Sequence, residues 1–157
     1  QWLAVSYRRQ QLDDSLTVLQ THMQGRVLEV GAGRGQRRGN FVPPIHATLS
    51  WTFVDLSPNA KPHTRADLQS LPFSHASFNT VVCLEVLEYV PKPLRALQDL
   101  HRVLTPSGYL LLSVPFMHRQ ARPFVQWLWA KDADTANDIP GLVDFSTGYL
   151  VLAQRND

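Results

Sequence analysis

An acid followed by alternating glycines forms the segment VLEVGAGRG, residues 27–35. Glu29 is the one charged residue in its apolar part, and the three glycines stand at positions 31, 33 and 35. Because glycine has no Cβ, the chain can turn sharply there and a ligand can approach the main chain closely. The segment therefore indicates a strand that ends in a ligand-binding loop, although an ordinary glycine turn beside a half-exposed acid has the same local sequence.

A second acid narrows the choice of ligand. Asp55 ends the apolar run WTFVD and lies 20 residues beyond Gly35. An acid at the end of the second strand of a doubly wound domain can accept hydrogen bonds from ribose hydroxyls. In a dinucleotide-binding fingerprint, however, a further glycine would stand where this chain has Gln36. The spacing therefore favours a nucleoside-type ligand and fits an NAD-dependent oxidoreductase poorly.

Apolar patterns predict the elements that position these residues. Short apolar runs predict strands at residues 27–30, 49–54, 80–84, 109–114 and 149–153. Apolar residues spaced three and four apart predict helices at residues 10–24, 91–104 and 122–131. The prolines and glycines after the glycine loop allow only about two helical turns before Phe41. Residues 57–63 are also too short and proline-bounded for a crossover helix.

In this order, the motifs resemble those of the class I S-adenosylmethionine-dependent methyltransferases. The E-x-G-x-G-x-G pattern followed by Asp55 is similar to the first two landmarks of that family. TRADLQSLPF, residues 64–73, resembles the acid and turn that follow its third strand. RVLTPSG, residues 102–108, resembles the turn before its fifth strand, with Ser107 in place of a glycine. The resemblance is strong over residues 26–116 and weak over residues 148–154.

The resemblance implies a site for S-adenosylmethionine, with S-adenosylhomocysteine as the product. Glu29 and the glycine loop would hold the methionine part, Asp55 the ribose, and Asp67 with Leu68 the adenine. The implied cofactor-binding residues are Glu29, Gly31, Ala32, Gly33, Asp55, Leu56, Asp67, Leu68, Cys83, Leu84 and Glu85. His118 follows the fifth strand and is the candidate general base, with a surface histidine as the alternative.

Three of the acids also have structural interpretations. Asp67 can be the N-cap of a short helix over residues 68–71, which is a common use of aspartate. A solvated helix face is the structural alternative for both Glu85 and Glu88. For Glu88 we adopt this interpretation, whereas Glu85 stays among the implied cofactor-binding residues. Phe73 and Phe78 are expected to pack beneath the loop that carries Asp67.

We predict a single α/β domain over residues 1–157. It consists of an N-terminal segment and helix (1–25), a cofactor-binding core (26–116) and a shortened C-terminal part (117–157). The sheet is Rossmann-like and mostly parallel, in the order 3-2-1-4-5 plus a terminal antiparallel edge strand, with helices on both faces. Residues 116–147 show no further strand-like run, so we expect residues 149–153 to form that edge. Its unpaired backbone groups would then offer a surface for a homodimer or for aggregation.

Composition limits the partners and the compartment. With 157 residues, 44% of them hydrophobic, the chain can bury one core. The net charge of +2 comes from scattered arginines, so no nucleic-acid partner is expected. No apolar run is long enough for a membrane helix, and the six scattered histidines predict no metal site. The single Cys83 fits a reducing compartment, so we expect a cytoplasmic protein.

The function predicted from the sequence is an S-adenosylmethionine-dependent methyltransferase that acts on a small-molecule acceptor. Because the acceptor-binding segment of the family is largely absent after residue 116, a cofactor-binding or degenerate protein without transfer activity is the alternative. An NAD-dependent oxidoreductase is a weaker alternative. Titration with each cofactor separates these functions.

Overall fold

A computed structural model of the chain describes residues 7–31, 39–115, 142–145 and 148–156. In chain order, its helices and strands are α1 (Tyr7–Leu19), β1 (Arg26–Val30), β2 (Ser50–Asp55), β3 (Thr64–Arg65), β4 (Phe78–Leu84), α2 (Pro93–Val103), β5 (Leu104–Pro115), β6 (Leu142–Phe145) and β7 (Gly148–Gln154). Short 3-10 turns occupy Gln20–His22, Ile45–Ala47, Pro58–Ala60 and Leu87–Tyr89.

The strands form one mixed sheet in the order β3-β2-β1-β4-β5-β7-β6. The first five strands in this order are parallel to one another, and β7 pairs with β5 in the antiparallel sense. The predicted order 3-2-1-4-5 and the antiparallel terminal strand are therefore confirmed. Because the first five strands are parallel, the loops after β1, β2, β3 and β4 leave the same edge of the sheet.

The edge of the sheet differs from our expectation. β7 is paired on both sides, with β5 and with the antiparallel strand β6, so β6 forms the edge. The expectation that residues 149–153 form the edge is wrong, and a homodimer or aggregate through that edge loses its basis. β6 escaped detection because its sequence, LVDF, is only four residues long and contains an acid. The helix predicted at residues 122–131 lies outside the described residues.

A helix covers each face of the sheet, as predicted. Alternate residues of β1 point to opposite faces, so Val27 packs on the α1 side and Leu28 on the α2 side. The α1-side core contains Leu12, Leu16, Met23, Val27, Phe41, Trp51, Val82, Leu111 and Leu150. The α2-side core contains, among others, Leu28, Val54, Leu68, Val81, Ala96, Leu100, Val103 and Leu112. α1 begins earlier and ends earlier than the predicted helix at residues 10–24.

The connections between elements are short. The link from β2 to β3 contains only the turn Pro58–Ala60, which confirms the absence of a crossover helix there. The turn before the main part of β5 places Ser107 at a φ of 60°. This is the left-handed conformation that glycine adopts freely, and for serine it costs on the order of 1 kcal/mol. The Ser107 N–H donates to the Arg155 carbonyl at 3.1 Å, so the end of the chain holds this turn.

Candidate functional site

A cavity of about 390 Å³ opens at the carboxyl ends of β1, β2 and β4. Its volume lies in the range of small-molecule sites, and this edge is where open α/β sheets bind ligands. The cavity is lined by Val30, Gly31, Asp55, Leu56, Ala66, Asp67, Leu68, Gln69, Glu85, Val86, Tyr89, Val90 and Pro91. Six of the residues implied by the resemblance therefore meet here, namely Gly31, Asp55, Leu56, Asp67, Leu68 and Glu85.

Gly31 begins the glycine loop and forms part of the cavity wall. Its φ is 67°, and its N–H donates to the Val54 carbonyl at 2.8 Å. A Cβ built on Gly31 would overlap the side chain of Val86. Both the backbone conformation and the close packing therefore require glycine at this position. The implied residues Ala32 and Gly33 lie outside the described residues.

Asp55 is held at the end of β2. Its Oδ1 atom accepts the Ser57 N–H at 2.8 Å, which is the geometry of an Asx turn. This contact fixes the carboxylate at the cavity wall. The next residue, Leu56, is 61% exposed and forms the lip of the cavity. The Asp55 carboxylate is thus a hydrogen-bond acceptor at the end of β2, next to the apolar surface of Leu56.

The Asp67 carboxylate accepts three hydrogen bonds, all of them from Gln69. Asp67 Oδ1 accepts the Gln69 N–H at 2.8 Å and Nε2 at 3.1 Å, while Oδ2 accepts Nε2 at 3.0 Å. The Ser70 N–H donates to the Asp67 carbonyl at 3.0 Å, so the chain forms a turn here. The N-cap interpretation of Asp67 is therefore wrong, because no helix follows it. Leu68 is 5% exposed and belongs to the α2-side core.

The segment after β4 supplies the opposite wall. Glu85 has a φ of 58°, and its N–H donates to the Ser113 carbonyl at 2.9 Å. This turn directs Val86 onto Gly31 and leads into the turn Leu87–Tyr89. Our interpretation of Glu88 as a residue of a solvated helix face is wrong, since Glu88 is 1% exposed and no α-helix forms there.

Other implied residues lie away from the cavity. Glu29 is on the α1 side of β1, where its Oε2 atom accepts the Trp51 Nε1–H at 2.8 Å. Cys83 and Leu84 belong to β4 and do not line the cavity. Burial raises the pKa of the Cys83 thiol far above its usual range, and the charge of Glu88 raises it further. The candidate base His118 lies outside the described residues.

Sequence reasoning missed several residues of the wall, of which Gln69 is the most polar. Gln69 lies two residues after Asp67. In an Asx turn, the backbone N–H two residues after an aspartate donates to its carboxylate, so this spacing could have identified Gln69 from the sequence. Val86, Tyr89, Val90 and Pro91 carried no such signal, because their place depends on the turn at Glu85.

Aromatic packing supports the loop that carries Asp67. The rings of Phe73 and Phe78 lie edge to face with centroids 5.0 Å apart. Phe78 belongs to the core cluster that contains Leu68 and Leu71 of the loop, and Phe73 packs against this cluster, which confirms that both pack beneath the loop. Arg102 of α2 donates to the Phe73 carbonyl at 2.6 Å and to the Leu71 carbonyl at 2.9 Å. The loop is therefore attached to both β4 and α2.

Within residues 7–31, 39–115, 142–145 and 148–156, no three His, Cys, Asp or Glu side chains lie together in a way that would hold a metal ion. No helix within these ranges is long and apolar enough to cross a membrane.

The sequence has relatives among characterised proteins. The family model for the methyltransferase domain matches residues 4–143. Ubiquinone biosynthesis O-methyltransferase of Paracidovorax citrulli is 34% identical over 118 residues, which cover 66% of this chain and 48% of that protein. Phthiotriol/phenolphthiotriol dimycocerosates methyltransferase of Mycobacterium leprae is 33% identical over 107 residues, or 60% of this chain and 39% of that protein. The matched regions thus span less than half the length of these two relatives.

The fold has similar solved structures. The PH0226 protein from Pyrococcus horikoshii superimposes with a TM-score of 0.64 at 16% identity, and the match covers 99% of this chain and 94% of that one. At this identity, the likeness shows a shared fold only. The family model, in contrast, matches the sequence itself over most of its length. Together with the glycine loop and the acid after β2, these matches show that the chain belongs to the class I S-adenosylmethionine-dependent methyltransferase family.

Proposed function

We propose that the cavity binds S-adenosylmethionine and that the protein transfers its methyl group to a small-molecule acceptor. The observation that carries this proposal is that Asp55, Asp67 and Gly31 line one cavity at the carboxyl edge of the sheet. The names of the two curated relatives, one a methyltransferase of ubiquinone biosynthesis and the other of dimycocerosates, support a small organic acceptor.

The chemistry of the wall suits this cofactor. An ionised carboxylate only accepts hydrogen bonds, so Asp55 matches the two hydroxyls of a ribose and Asp67 matches the amino group of adenine. Leu68 and Val86 supply apolar surface for a purine ring. Gly31 lines the same cavity and begins the glycine loop, which is proposed to hold the methionine part.

The charge of the cavity separates this cofactor from a dinucleotide. Three acids, Asp55, Asp67 and Glu85, line the wall, and no lysine or arginine occurs among the described residues that line it. S-adenosylmethionine carries a cationic sulfonium, whereas the pyrophosphate of NAD is anionic and is usually bound by a helix N-terminus. The acidic wall therefore favours the sulfonium cofactor over NAD.

The bound cofactor supplies a methyl group that the sulfonium has already activated. The contribution of the chain is then to hold the cofactor in one orientation, so that an acceptor can approach the methyl group in line. Asp55 and Asp67 fix the nucleoside at two separate points of the wall. The fixed turn at Glu85 keeps Val86 in place between them and the glycine loop.

Calorimetric titration with S-adenosylhomocysteine and then with NAD tests the proposal. We expect S-adenosylhomocysteine to bind and NAD not to bind. Asp55→Ala should weaken S-adenosylhomocysteine by roughly 1.5 to 3 kcal/mol, the range for hydrogen bonds to a charged group. Asp14→Ala, which removes an exposed acid from α1, is the matched control and should leave affinity unchanged. Binding of NAD alone would overturn the proposal, and binding without methyl transfer to any acceptor would favour the degenerate alternative.

We also propose a cytoplasmic location, on the basis of the lone cysteine. Cys83 is unpaired and fully buried in β4, so the fold does not depend on an oxidising compartment. Cell fractionation tests this location, and recovery of the protein in another compartment would overturn it.

A further inference from the structure

We propose that Gln69 determines the specificity of the adenine subsite, by holding the Asp67 carboxylate as a fixed acceptor for a 6-amino purine. This inference rests on the proposed function, since it concerns the base of the bound cofactor. Gln69 lines the cavity beside Asp67 and donates all three hydrogen bonds described above to the Asp67 carboxylate. It would act through Asp67, and is therefore a positioning residue.

The orientation of the Gln69 amide is fixed by its other end. Gln69 Oε1 accepts the backbone N–H of Lys92 at 3.0 Å, at the start of α2. The opposite assignment would place the NH2 group against an N–H donor and the carbonyl against both carboxylate oxygens, and both contacts would be repulsive. The NH2 group therefore faces Asp67.

Helix α2 holds Gln69 at a second point. The Gln69 carbonyl accepts Arg95 Nε at 3.2 Å. The side-chain carbonyl and the backbone carbonyl are thus both attached to the first turns of α2, while the backbone N–H and the amide NH2 are directed at Asp67. The Asp67 carboxylate is consequently fixed relative to the helix and does not depend on its own turn alone.

This arrangement has a chemical consequence for the base that the cavity accepts. Every hydrogen bond from Gln69 to the Asp67 carboxylate is donated by Gln69, so the carboxylate acts as an acceptor. An acceptor matches the 6-amino group of adenine, which donates, and repels the 6-oxo group of hypoxanthine, which accepts. If the amide of Gln69 is lost, the carboxylate can rotate, and the distinction between the two bases should weaken.

The test compares S-adenosylhomocysteine with S-inosylhomocysteine, in which a 6-oxo group and a protonated N1 replace the 6-amino group and the unprotonated N1. Gln69→Met keeps the length of the side chain and removes its donor and its acceptor. We expect wild type to prefer S-adenosylhomocysteine, and Gln69→Met to reduce the ratio of the two dissociation constants by roughly fivefold to tenfold, the net effect of about one ordinary hydrogen bond. Gln98→Met, on an exposed part of α2, is the matched control and should leave the ratio unchanged.

A double-mutant cycle shows whether Gln69 acts through Asp67. Asp67→Asn replaces the carboxylate with an amide that can donate or accept, so it should itself reduce the ratio. In that background Gln69→Met should have little further effect, because the group that it holds has changed. Independent, multiplicative effects on the ratio would overturn the positioning role.

The outcomes separate this inference from the proposed function. Wild type that does not bind S-adenosylhomocysteine overturns the proposed function. Wild type that binds, together with a Gln69→Met variant that weakens both ligands equally or neither, overturns only the role of Gln69 in specificity. If Gln69→Met does not fold, Gln69→Glu, which keeps the size and replaces the amide donor with a charged acceptor, should also show a reduced ratio at neutral pH. An unchanged ratio in that variant would also overturn the inference.

Gln69→Met and its control Gln98→Met each replace one neutral side chain with another, so they leave the charged groups around this pair unchanged. Arg95 of α2 binds the Gln69 carbonyl, while Asp55 and Glu85 line the cavity from β2 and from the turn after β4. In Gln69→Met, a change in the ratio at constant pH therefore reports the loss of the amide.

Discussion

The Leu71 N–H donates to Asp99 Oδ2 at 2.5 Å, and through this contact helix α2 holds the loop that carries Asp67. Arg102 completes the attachment, since it binds the Leu71 and Phe73 carbonyls and also forms an ion pair with Asp99, with Nε and Oδ1 2.6 Å apart. The backbone N–H and the carbonyl of Leu71 are thus both satisfied by one helix. The position of the candidate adenine subsite depends on a charge pair outside the cavity.

Asp99 should make stability depend on pH in the acid range. Partial burial alone would raise the pKa of Asp99. The opposing effects are larger: Arg102 and the Leu71 N–H donate hydrogen bonds to the carboxylate, and the charges of Arg102 and Arg95 stabilise its ionised form. Together they hold the pKa below the ordinary value of 3.8. An acid with a depressed pKa stabilises the fold above its unfolded pKa, and that stabilisation is lost as the pH falls through the folded pKa.

We therefore expect Asp99→Asn to be less stable than wild type at pH 7 by about 1 to 2 kcal/mol. Its free energy of unfolding should then fall less steeply than that of wild type between pH 4 and pH 2. Urea denaturation at several pH values measures both effects. Asp14→Asn, which alters an exposed acid of α1, should follow the wild-type curve. Parallel curves for wild type and Asp99→Asn would contradict this role.

Gly31→Ala should destabilise the protein for two separable reasons. The φ of 67° is unfavourable for alanine by roughly 1 to 2 kcal/mol, and the new Cβ would also overlap Val86. Val86→Ala should remove the overlap but not the backbone cost. In a double-mutant cycle followed by urea denaturation, Gly31→Ala should therefore cost less in the Val86→Ala background than in wild type. Equal costs in both backgrounds would show that Val86 does not limit this position.

Local sequence predicted the parts of the site that depend on local chemistry. The glycine at position 31 and the acid at position 55 were identified because a tight turn and a strand end each require a particular residue type. The strand order followed from the sequence of motifs. Tertiary contacts decided the remainder, and single-sequence patterns do not contain them.

Glu88 and Gln69 show this limit clearly. The spacing of EVLEYV is compatible with a helix, but the left-handed turn at Glu85 sends the chain into a 3-10 turn that buries Glu88. Gln69 is an ordinary polar residue in the sequence, and its role arises only because the start of α2 lies within hydrogen-bond distance. β6 was missed because four residues are too few to establish a period.

The buried pair of Glu29 and Trp51 should contribute to stability. Trp51 is 8% exposed and its Nε1–H donates to Glu29 Oε2. Glu29→Ala leaves this donor buried without its acceptor, which should lower the free energy of unfolding by about 1 to 3 kcal/mol. Glu29→Gln keeps an acceptor oxygen and should cost clearly less. Equal losses in the two variants, measured by urea denaturation, would contradict the hydrogen-bond explanation. The role of Glu29 in cofactor binding stays a prediction.

Cys83 offers a probe of the opening of the sheet. It is the only cysteine of the chain and is fully buried in β4, between β1 and β5. Because burial raises the pKa of its thiol, the group is both inaccessible and protonated in the folded protein. A disulfide reagent at pH 8 should react with it only after β4 separates from a neighbouring strand. The native protein should therefore react far more slowly than the protein in urea.

The cofactor should slow this reaction further, because β4 leads directly into the Glu85 and Val86 wall of the cavity. When a ligand that binds only the folded state is present at about 100 times its dissociation constant, it adds roughly 2.7 kcal/mol to the free energy of opening. If the rate of thiol modification is set by the population of the open form, that rate should fall about 100-fold. S-adenosylhomocysteine should produce this effect and NAD at the same concentration should not. A reaction rate that does not change at saturating S-adenosylhomocysteine would mean that β4 opens without disturbing the cavity, and the link between the strand and the site would then be wrong.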